Sequence, residues 1–459
     1  MSLPRLLLAS LLLAAPALRA AEQCDLDCLL CPGLADPVHY GEGIMKSMKY
    51  VAPGKDTWLF RSEVDLSNDF GIPPAMRPQF KRLMDAFHAR GTQVVIAVQP
   101  TRGIMHRDKV RADSAYGFDF TTARRNLASF LDQLRAGGAV VPDILPLVDS
   151  PPEQDYFFRR DHHWTPAGAM HTARLVADSI RQQPFYADLS KKQYRTEPGV
   201  MVPKDGTMSR ALKKICGNNY GFQYARGFQT VPAGDDLGAL FDEQSSQEVV
   251  LVGTSNSAAR DDDTKNYNFD GYLKEYLSVD ILNVALPGAG QEGALLNYLQ
   301  SADYSPDAPP KLIIWELPAS FRLEDPLMYR QLLPAIAGGC AKGQVLGERK
   351  SELPALPRGQ RFELLSNGGA QRLDLRGKPG FLDIKLADKN LKDFYVIVYY
   401  DNGQRDKQWY RREAIVAGGQ YYLELSQDAA YRDANLLSVF IEPTEDLAAP
   451  VAVETRLCL

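Results

Sequence analysis

Glu248-Val249-Val250-Leu251-Val252-Gly253-Thr254-Ser255-Asn256-Ser257 runs an apolar stretch directly into a glycine followed by hydroxyls. An unbroken, β-branched-rich run of this length predicts a strand buried on both faces, as in a parallel sheet covered by helices. Gly253 permits a sharp turn at the strand's carboxyl end, the edge at which open α/β sheets bind their ligands. Ser255 follows that turn and is a candidate nucleophile, provided a base accompanies it. Without a base, a Gly-Thr-Ser turn is an ordinary loop or helix cap.

A base is available earlier in the chain, in Asp161-His162-His163-Trp164-Thr165-Pro166. Thr165 fits an N-cap and Pro166 the first helical position, so a helix is predicted over 167–180 with His163 just outside it. Asp161 and His163 alternate in an extended segment and project to one side, so the carboxylate can fix the imidazole's tautomer while His162 points elsewhere. Two plainer readings of the same residues are a polar loop without chemistry and a tandem-histidine metal site; no metal is assigned. Of the chain's 6 histidines, three are His162, His163 and His171.

The surroundings of these two motifs alternate between helix and strand. A helix is predicted over 79–90 (Phe80, Leu83, Met84, Phe87), then a strand over 93–98 that places Arg102 near its carboxyl end as a candidate substrate contact. A helix over 122–135, a strand over 140–147, a strand over 279–284 with the loop Pro287-Gly288-Ala289-Gly290-Gln291, a helix to about 299 and a strand over 311–317 continue the pattern. The fold class is therefore α/β with a largely parallel sheet. The loop at Gly288 lacks the third glycine and the acidic partner of a dinucleotide fingerprint.

With 459 residues, 45% hydrophobic and 24% charged, the chain is long enough for about two or three well-packed domains. A net charge of −5 argues against nucleic acid as partner. Residues 1–20, with Arg5, an apolar run from Leu6 to Ala15 and small residues to Ala21, have the form of a secretory signal peptide, and no later stretch is long enough to span a membrane. All six cysteines (Cys24, Cys28, Cys31, Cys216, Cys340, Cys458) follow it, which favours disulfides over a thiol or zinc role for Cys28-x-x-Cys31. Cys340 and Cys458 bracket the C-terminal region and are paired on that ground. Cys216 then takes a partner from the N-terminal cluster, with Cys31 as the candidate.

Near residue 340 the pattern changes. Short alternating or aromatic-rich segments over 373–375, 381–386, 393–400, 409–415, 421–425, 436–441 and 451–457, divided by Gly and Asn-Gly turns, predict an all-β sandwich of about seven strands. Beside the hairpin at Asp401 to Gly403 cluster Arg405, Lys407, Trp409, Tyr410, Arg411 and Arg412. Rings that stack on pyranose faces and cations that pair with carboxylates suit an anionic sugar chain, although a solvated strand face accounts for the same residues. Alternation puts Lys407, Trp409 and Arg411 on one face and Arg412 on the other.

The order Asp-x-His before Gly-x-Ser, together with Gly54-Lys55-Asp56-Thr57-Trp58-Leu59-Phe60, resembles the SGNH-hydrolase-like acetyltransferases of the AlgX/AlgJ type, in which the triad order is permuted; the C-terminal sandwich points to the AlgX branch. The resemblance implies residues 21–340 as an SGNH-hydrolase-like acetyltransferase domain and 341–459 as a β-sandwich carbohydrate-binding module. It implies Ser255 as nucleophile, His163 as base and then acid, and Asp161 as the orienting carboxylate, with no cofactor. Typical oxyanion blocks have no clear match, and the Ser255 amide with Gly290 and Gln291 takes that place. It further implies a periplasmic O-acetyltransferase acting on polymannuronate, with the acetyl donor supplied by another component of an alginate biosynthesis and export complex. The alternatives are an acetylesterase with the same three residues and a non-catalytic scaffold of that complex.

Overall fold

The computed structural model describes residues 30–233, 247–369, 372–412, 414–425 and 428–459; the expected signal peptide, Cys24 and Cys28 lie outside them. A short antiparallel pair, Val51–Pro53 (β1) with Leu59–Arg61 (β2), leads to Gln93–Gln99 (β3), the first strand of the central sheet. An antiparallel ribbon, Tyr194–Lys204 (β4) with Gln223–Pro232 (β5), intervenes. Val249–Val252 (β6), Leu282–Asn283 (β7) and Leu312–Pro318 (β8) then complete a parallel sheet of order β3-β8-β6-β7.

The four β6 residues are each 2% exposed or less, as expected of a strand covered on both faces. Helices supply the cover. Arg77–His88 buries Phe80, Leu83, Met84 and Phe87 at helical spacing, and each such side chain removed from water contributes roughly 1.5–3 kcal/mol. The helix Pro166–Arg181 begins where predicted, with the Thr165 hydroxyl accepting from Gly168 N–H at 3.1 Å and Pro166 in its first turn. The strand expected over 140–147 is reduced to a single parallel bridge between Val140 and Val95, followed by the short helix Leu145–Asp149. Pro142 and Pro146 lack the N–H groups that a longer ladder needs.

Among the described residues the C-terminal region contains eight strands: Val345–Leu353 (β9), Phe362–Ser366 (β10), Phe381–Leu386 (β11), Asp393–Tyr400 (β12), Arg405–Arg411 (β13), Gln420–Glu424 (β14), Leu436–Pro443 (β15) and Val451–Cys458 (β16). They form two four-stranded sheets, β10-β15-β12-β13 and β14-β11-β16-β9, around a core of their own. β9 and β10 were not anticipated, and the predicted strand over 373–375 is a loop. Its backbone donors go to side chains instead, Leu373 N to Asn367 Oδ1 and Leu375 N to Asn435 Oδ1.

Buried polar contacts fasten the sandwich to the α/β part. Arg330, on the helix Pro326–Ile336, donates to Asp406 Oδ2 at 2.5 Å and to the Glu424 carbonyl at 2.7 Å. Disulfides join Cys340 to Cys458 and Cys31 to Cys216. Replacing Cys340 and Cys458 together by serine should cost about 2–5 kcal/mol in urea or thermal unfolding, with loss concentrated in the sandwich. An unchanged midpoint would show that Arg330 and the apolar contacts suffice.

Candidate active site

The turn after β6 wraps around a carboxylate. Glu316 rises from β8, next to β6 in the sheet, is fully buried, and through Oε2 accepts from Thr254 N at 2.7 Å, Thr254 Oγ1 at 2.9 Å and Ser257 Oγ at 2.9 Å. A side chain at Gly253 would place its Cβ 2.7 Å from that same oxygen, which is why the turn needs glycine there. Burial pushes the Glu316 carboxyl above its usual range. Asn256 ties the turn to the histidine loop: its Oδ1 and its carbonyl accept from the backbone and indole N–H of Trp164, at 3.3 and 2.9 Å.

The two motifs meet at Ser255. His163 Nε2 lies 2.8 Å from Ser255 Oγ, and His163 Nδ1 lies 2.5 Å from Asp161 Oδ1, which also accepts from His163 N at 2.9 Å. Asp161 Oδ2 accepts from Thr207 N at 2.7 Å, one of the free N–H groups at the start of the helix Thr207–Cys216. The close approach requires Gly206, where a Cβ would lie 2.2 Å from the Arg160 carbonyl. Burial alone would raise the Asp161 carboxyl, but His163, His162 and Lys204 hold it well below the usual range. His163 is lowered by burial, against the upward pull of Asp161. His162 is pushed well down by burial and by His163; its ring lies tilted against that of His163 with centroids 3.8 Å apart, and its Nδ1 lies 2.8 Å from Thr207 Oγ1. Donor atoms of Asp161, His162 and His163 fall within 4.8 Å of one another, the spacing of a metal cluster. Both His163 nitrogens and both Asp161 oxygens are already engaged in the hydrogen bonds above, so we assign no metal there.

Other residues singled out from the sequence fall elsewhere. Arg102 cannot contact substrate: it is 1% exposed, and its guanidinium donates to the carbonyls of Phe158 (2.5 Å), Asp161 (2.6 Å), Leu59 (2.7 Å) and Arg159 (3.0 Å) while Nε faces Asp65 Oδ2 at 3.2 Å. Arg412 is likewise buried, donating to Gln331 Oε1 and the Gln420 carbonyl, so it is a packing residue and not a polymer contact. Arg405, Lys407, Trp409 and Arg411 do share the exposed face of β13. Trp409, 47% exposed, stacks on Tyr395 and donates to Asp393, and Lys407 pairs with Glu442 at 2.6 Å over the Tyr395 ring. Gln291 turns its carbonyl to Trp315 Nε1 and its side-chain oxygen to Leu323 N. Gly290 lines a cleft of about 430 Å³ shared with Trp409 and Arg411. Glu316, Thr207 and Lys204 are the contributors that sequence reading missed; the lone acid inside the apolar run Leu312-Ile313-Ile314-Trp315-Glu316-Leu317 was the signal for the first.

The profile of the SGNH hydrolase-like domain of acetyltransferase AlgX matches residues 51–319, and that of a C-terminal carbohydrate-binding module matches residues 339–459. The alginate biosynthesis protein AlgX of Azotobacter vinelandii is 35% identical over 99% of this chain and 94% of its own length. The chain belongs to the AlgX family. The solved AlgX structure from Pseudomonas aeruginosa, 32% identical, superposes with a TM-score of 0.81 over 94% of this chain and 99% of that one. A more distant relative, the probable alginate O-acetylase AlgJ of Pseudomonas aeruginosa, is 27% identical over 59% of this chain and 70% of its own. The AlgX-family architecture, an SGNH-hydrolase-like α/β domain followed by a β-sandwich module, is thus the one found here, and the SGNH-like domain with its O-acetylase relatives supports acyltransferase activity.

Replacing Arg102 by leucine would leave four backbone carbonyls, three in the histidine loop and one in β2, and Asp65 without their cation. Stability should fall by about 3–5 kcal/mol, as for other broken buried ion pairs, whereas Arg411→Ala should stay within about 0.5 kcal/mol of the parent in denaturant unfolding.

Proposed function

We propose that this protein is a periplasmic O-acetyltransferase that acetylates hydroxyls of polymannuronate during alginate biosynthesis, with Ser255, His163 and Asp161 as its catalytic residues. The observation that carries the reading is the hydrogen-bonded line from Asp161 Oδ1 through the imidazole to Ser255 Oγ. It lies at the carboxyl edge of the parallel sheet, in a chain whose relatives are alginate biosynthesis proteins and a probable alginate O-acetylase.

In the first half-reaction Ser255 Oγ attacks the acetyl carbonyl of a donor while its proton passes to His163 Nε2. Asp161 stabilises the imidazolium through Nδ1, and the imidazolium then protonates the leaving group, giving acetyl-Ser255. In the second, neutral His163 removes a proton from an acceptor hydroxyl, the sugar oxygen attacks the acetyl carbonyl, and the same proton returns to Ser255 Oγ. The Ser255 backbone amide is one oxyanion donor in this reading. The exposed Lys407, Trp409 and Arg411 face supplies ring stacking and positive charge for the polyuronate. The N-terminal signal peptide would deliver the chain to the periplasm, where the two disulfides are stable.

Alanine at Ser255, His163 or Asp161 should each lower turnover of a chromogenic acetyl ester by roughly 10³-fold or more, non-additively, because the three act as a unit. With mannuronate oligomers present, mass spectrometry should find acetylated sugar; release of acetate alone would make the protein an esterase. A Ser255→Ala protein that lacks ester turnover yet fully supports alginate production would leave only the scaffold role.

Alanine at Lys407, Trp409 and Arg411 together should raise the apparent KM for oligomers and weaken their binding without changing small-ester hydrolysis, and binding by the parent should weaken as salt is added. Equal affinity of parent and triple variant in low-salt calorimetry would place the polymer elsewhere.

A further inference from the structure

The hydrogen-bonded line at Ser255 has a cationic neighbour. Lys204, the last residue of β4, is 8% exposed, and its Nζ lies 3.9 Å from Asp161 Oδ1, the oxygen that holds His163 Nδ1. The ammonium is fixed there by donation to Tyr267 OH at 2.5 Å and to the Thr264 carbonyl at 2.9 Å, and it lies over the rings of Phe158 and Tyr267. Tyr267 in turn packs against His163, ring centroids 5.3 Å apart. A cation is expensive to bury, so its position beside a neutral imidazole calls for an explanation.

The charges that face His163 can be enumerated. On its own loop are Asp161 and the adjoining His162; across from it are Tyr267 and Ser255; Arg61 of β2 and Lys204 of β4 act from further off. Arg61 pairs with Asp65 at 2.6 Å, a carboxylate it shares with Arg102, and lowers His163 in the same direction as Lys204 but by less. Around Lys204, Asp262 pairs with Lys265 at 2.6 Å and Arg210 faces Asp205 at 3.7 Å, leaving Asp161 as the carboxylate within ion-pair distance of Nζ among the described residues. Lys204 therefore offsets part of the Asp161 charge that would otherwise favour the imidazolium.

We propose that Lys204 is a positioning residue of this site, whose buried ammonium shares Asp161 with His163 and keeps the imidazole unprotonated, ready to accept the Ser255 proton, in mildly acidic medium. The inference rests on the reading of His163 as base. The direction of the effect follows from the signs. His163 is lowered first by burial, raised by Asp161 and lowered again by Lys204, so a neutral base persists below the ordinary histidine range. Activity that needs the neutral ring is present above that point and is lost as pH falls through it. Removing the ammonium moves the loss to higher pH.

The test is the pH dependence of acetyl-ester turnover by the full chain, with Lys204→Met, Lys204→Gln and Lys204→Arg. For Met and Gln, the rate at about pH 5.5 relative to that at about pH 8 should fall on the order of tenfold below the parent ratio, and Arg should restore it. A lower plateau with an unmoved acid limb would overturn the proposal and reduce Lys204 to an anchor for Tyr267 and the Thr264 loop. Should the Met and Gln chains fail to fold, the imidazole signal of His163 is titrated by NMR in Ser255→Ala protein, alone and with Lys204→Arg. A midpoint at or above the ordinary histidine value in the Lys204 protein also overturns the proposal. If the parent has no turnover that depends on Ser255 and His163, the failure lies with the reading of the site and not with Lys204.

Discussion

A guanidinium sealed from water must find acceptors, and a loop of irregular backbone sealed from water must find donors. Arg102 meets both demands. It donates to four carbonyls, those of Phe158, Arg159 and Asp161 in one loop and Leu59 in β2, and is itself balanced by Asp65. Aromatic rings of Trp58, Phe60 and Phe157 surround it and exclude solvent. The backbone at Asp161 is therefore as well determined as a strand although it belongs to none. Only then can the carboxylate be aimed at both His163 Nδ1 and the Thr207 amide.

Glu316 performs the complementary task for the serine turn. It leaves β8 opposite Ala97 of β3, while Arg102 lies three residues beyond the end of β3, so the two buried polar groups that organise the site depend on adjacent strands held in register. Trp164 closes the frame by donating to Asn256 on the serine side from a position adjacent to His163. A hydrogen-bond distance of 2.8 Å between Ser255 and His163 is thus the product of two loops, each fixed by a buried polar group that never touches the reacting atoms.

What could be read from the sequence was what is local. The β-branched run before Gly253 and the Thr-Pro helix start after His163 each express short-range geometry and each formed; Asp161 does reach His163, but the segment bends instead of running extended, so His162 does not point elsewhere and its ring lies 3.8 Å from that of His163. Alternation along β13 also separated Arg411 from Arg412 correctly. Charge was a poor guide to exposure, because burial of Arg102 and Arg412 is decided by partners distant in the chain: Leu59 and Phe158 for one, Gln331 and Gln300 for the other. β9 was hidden by its composition, since Glu348-Arg349-Lys350-Ser351-Glu352 offers no apolar period and is a strand only because β16 pairs with it. The two prolines that stop the ladder after Val140 were visible and should have shortened that strand.

The attachment of the sandwich bears on the chemistry of transfer. The loop at Gly288–Gly293 follows β7 at the same sheet edge as Ser255, and it shares its cleft with Trp409 and Arg411. Arg330, with Asp406 Oδ2 and the Glu424 carbonyl as its acceptors, and the Cys340–Cys458 bond leave the sandwich little freedom to swing away. On the proposed reading, a polyuronate lying on the β13 face is held by a module fastened to the domain that carries the acyl-serine. Tethering of this kind gives effective concentrations on the order of millimolar or more. Water at its bulk concentration still outnumbers such a hydroxyl by a wide margin. Transfer therefore has to be won by orientation at His163 Nε2, with the reacting oxygen held within about 3–3.5 Å of the acetyl carbon, and a rigid junction between the two units is what such orientation requires.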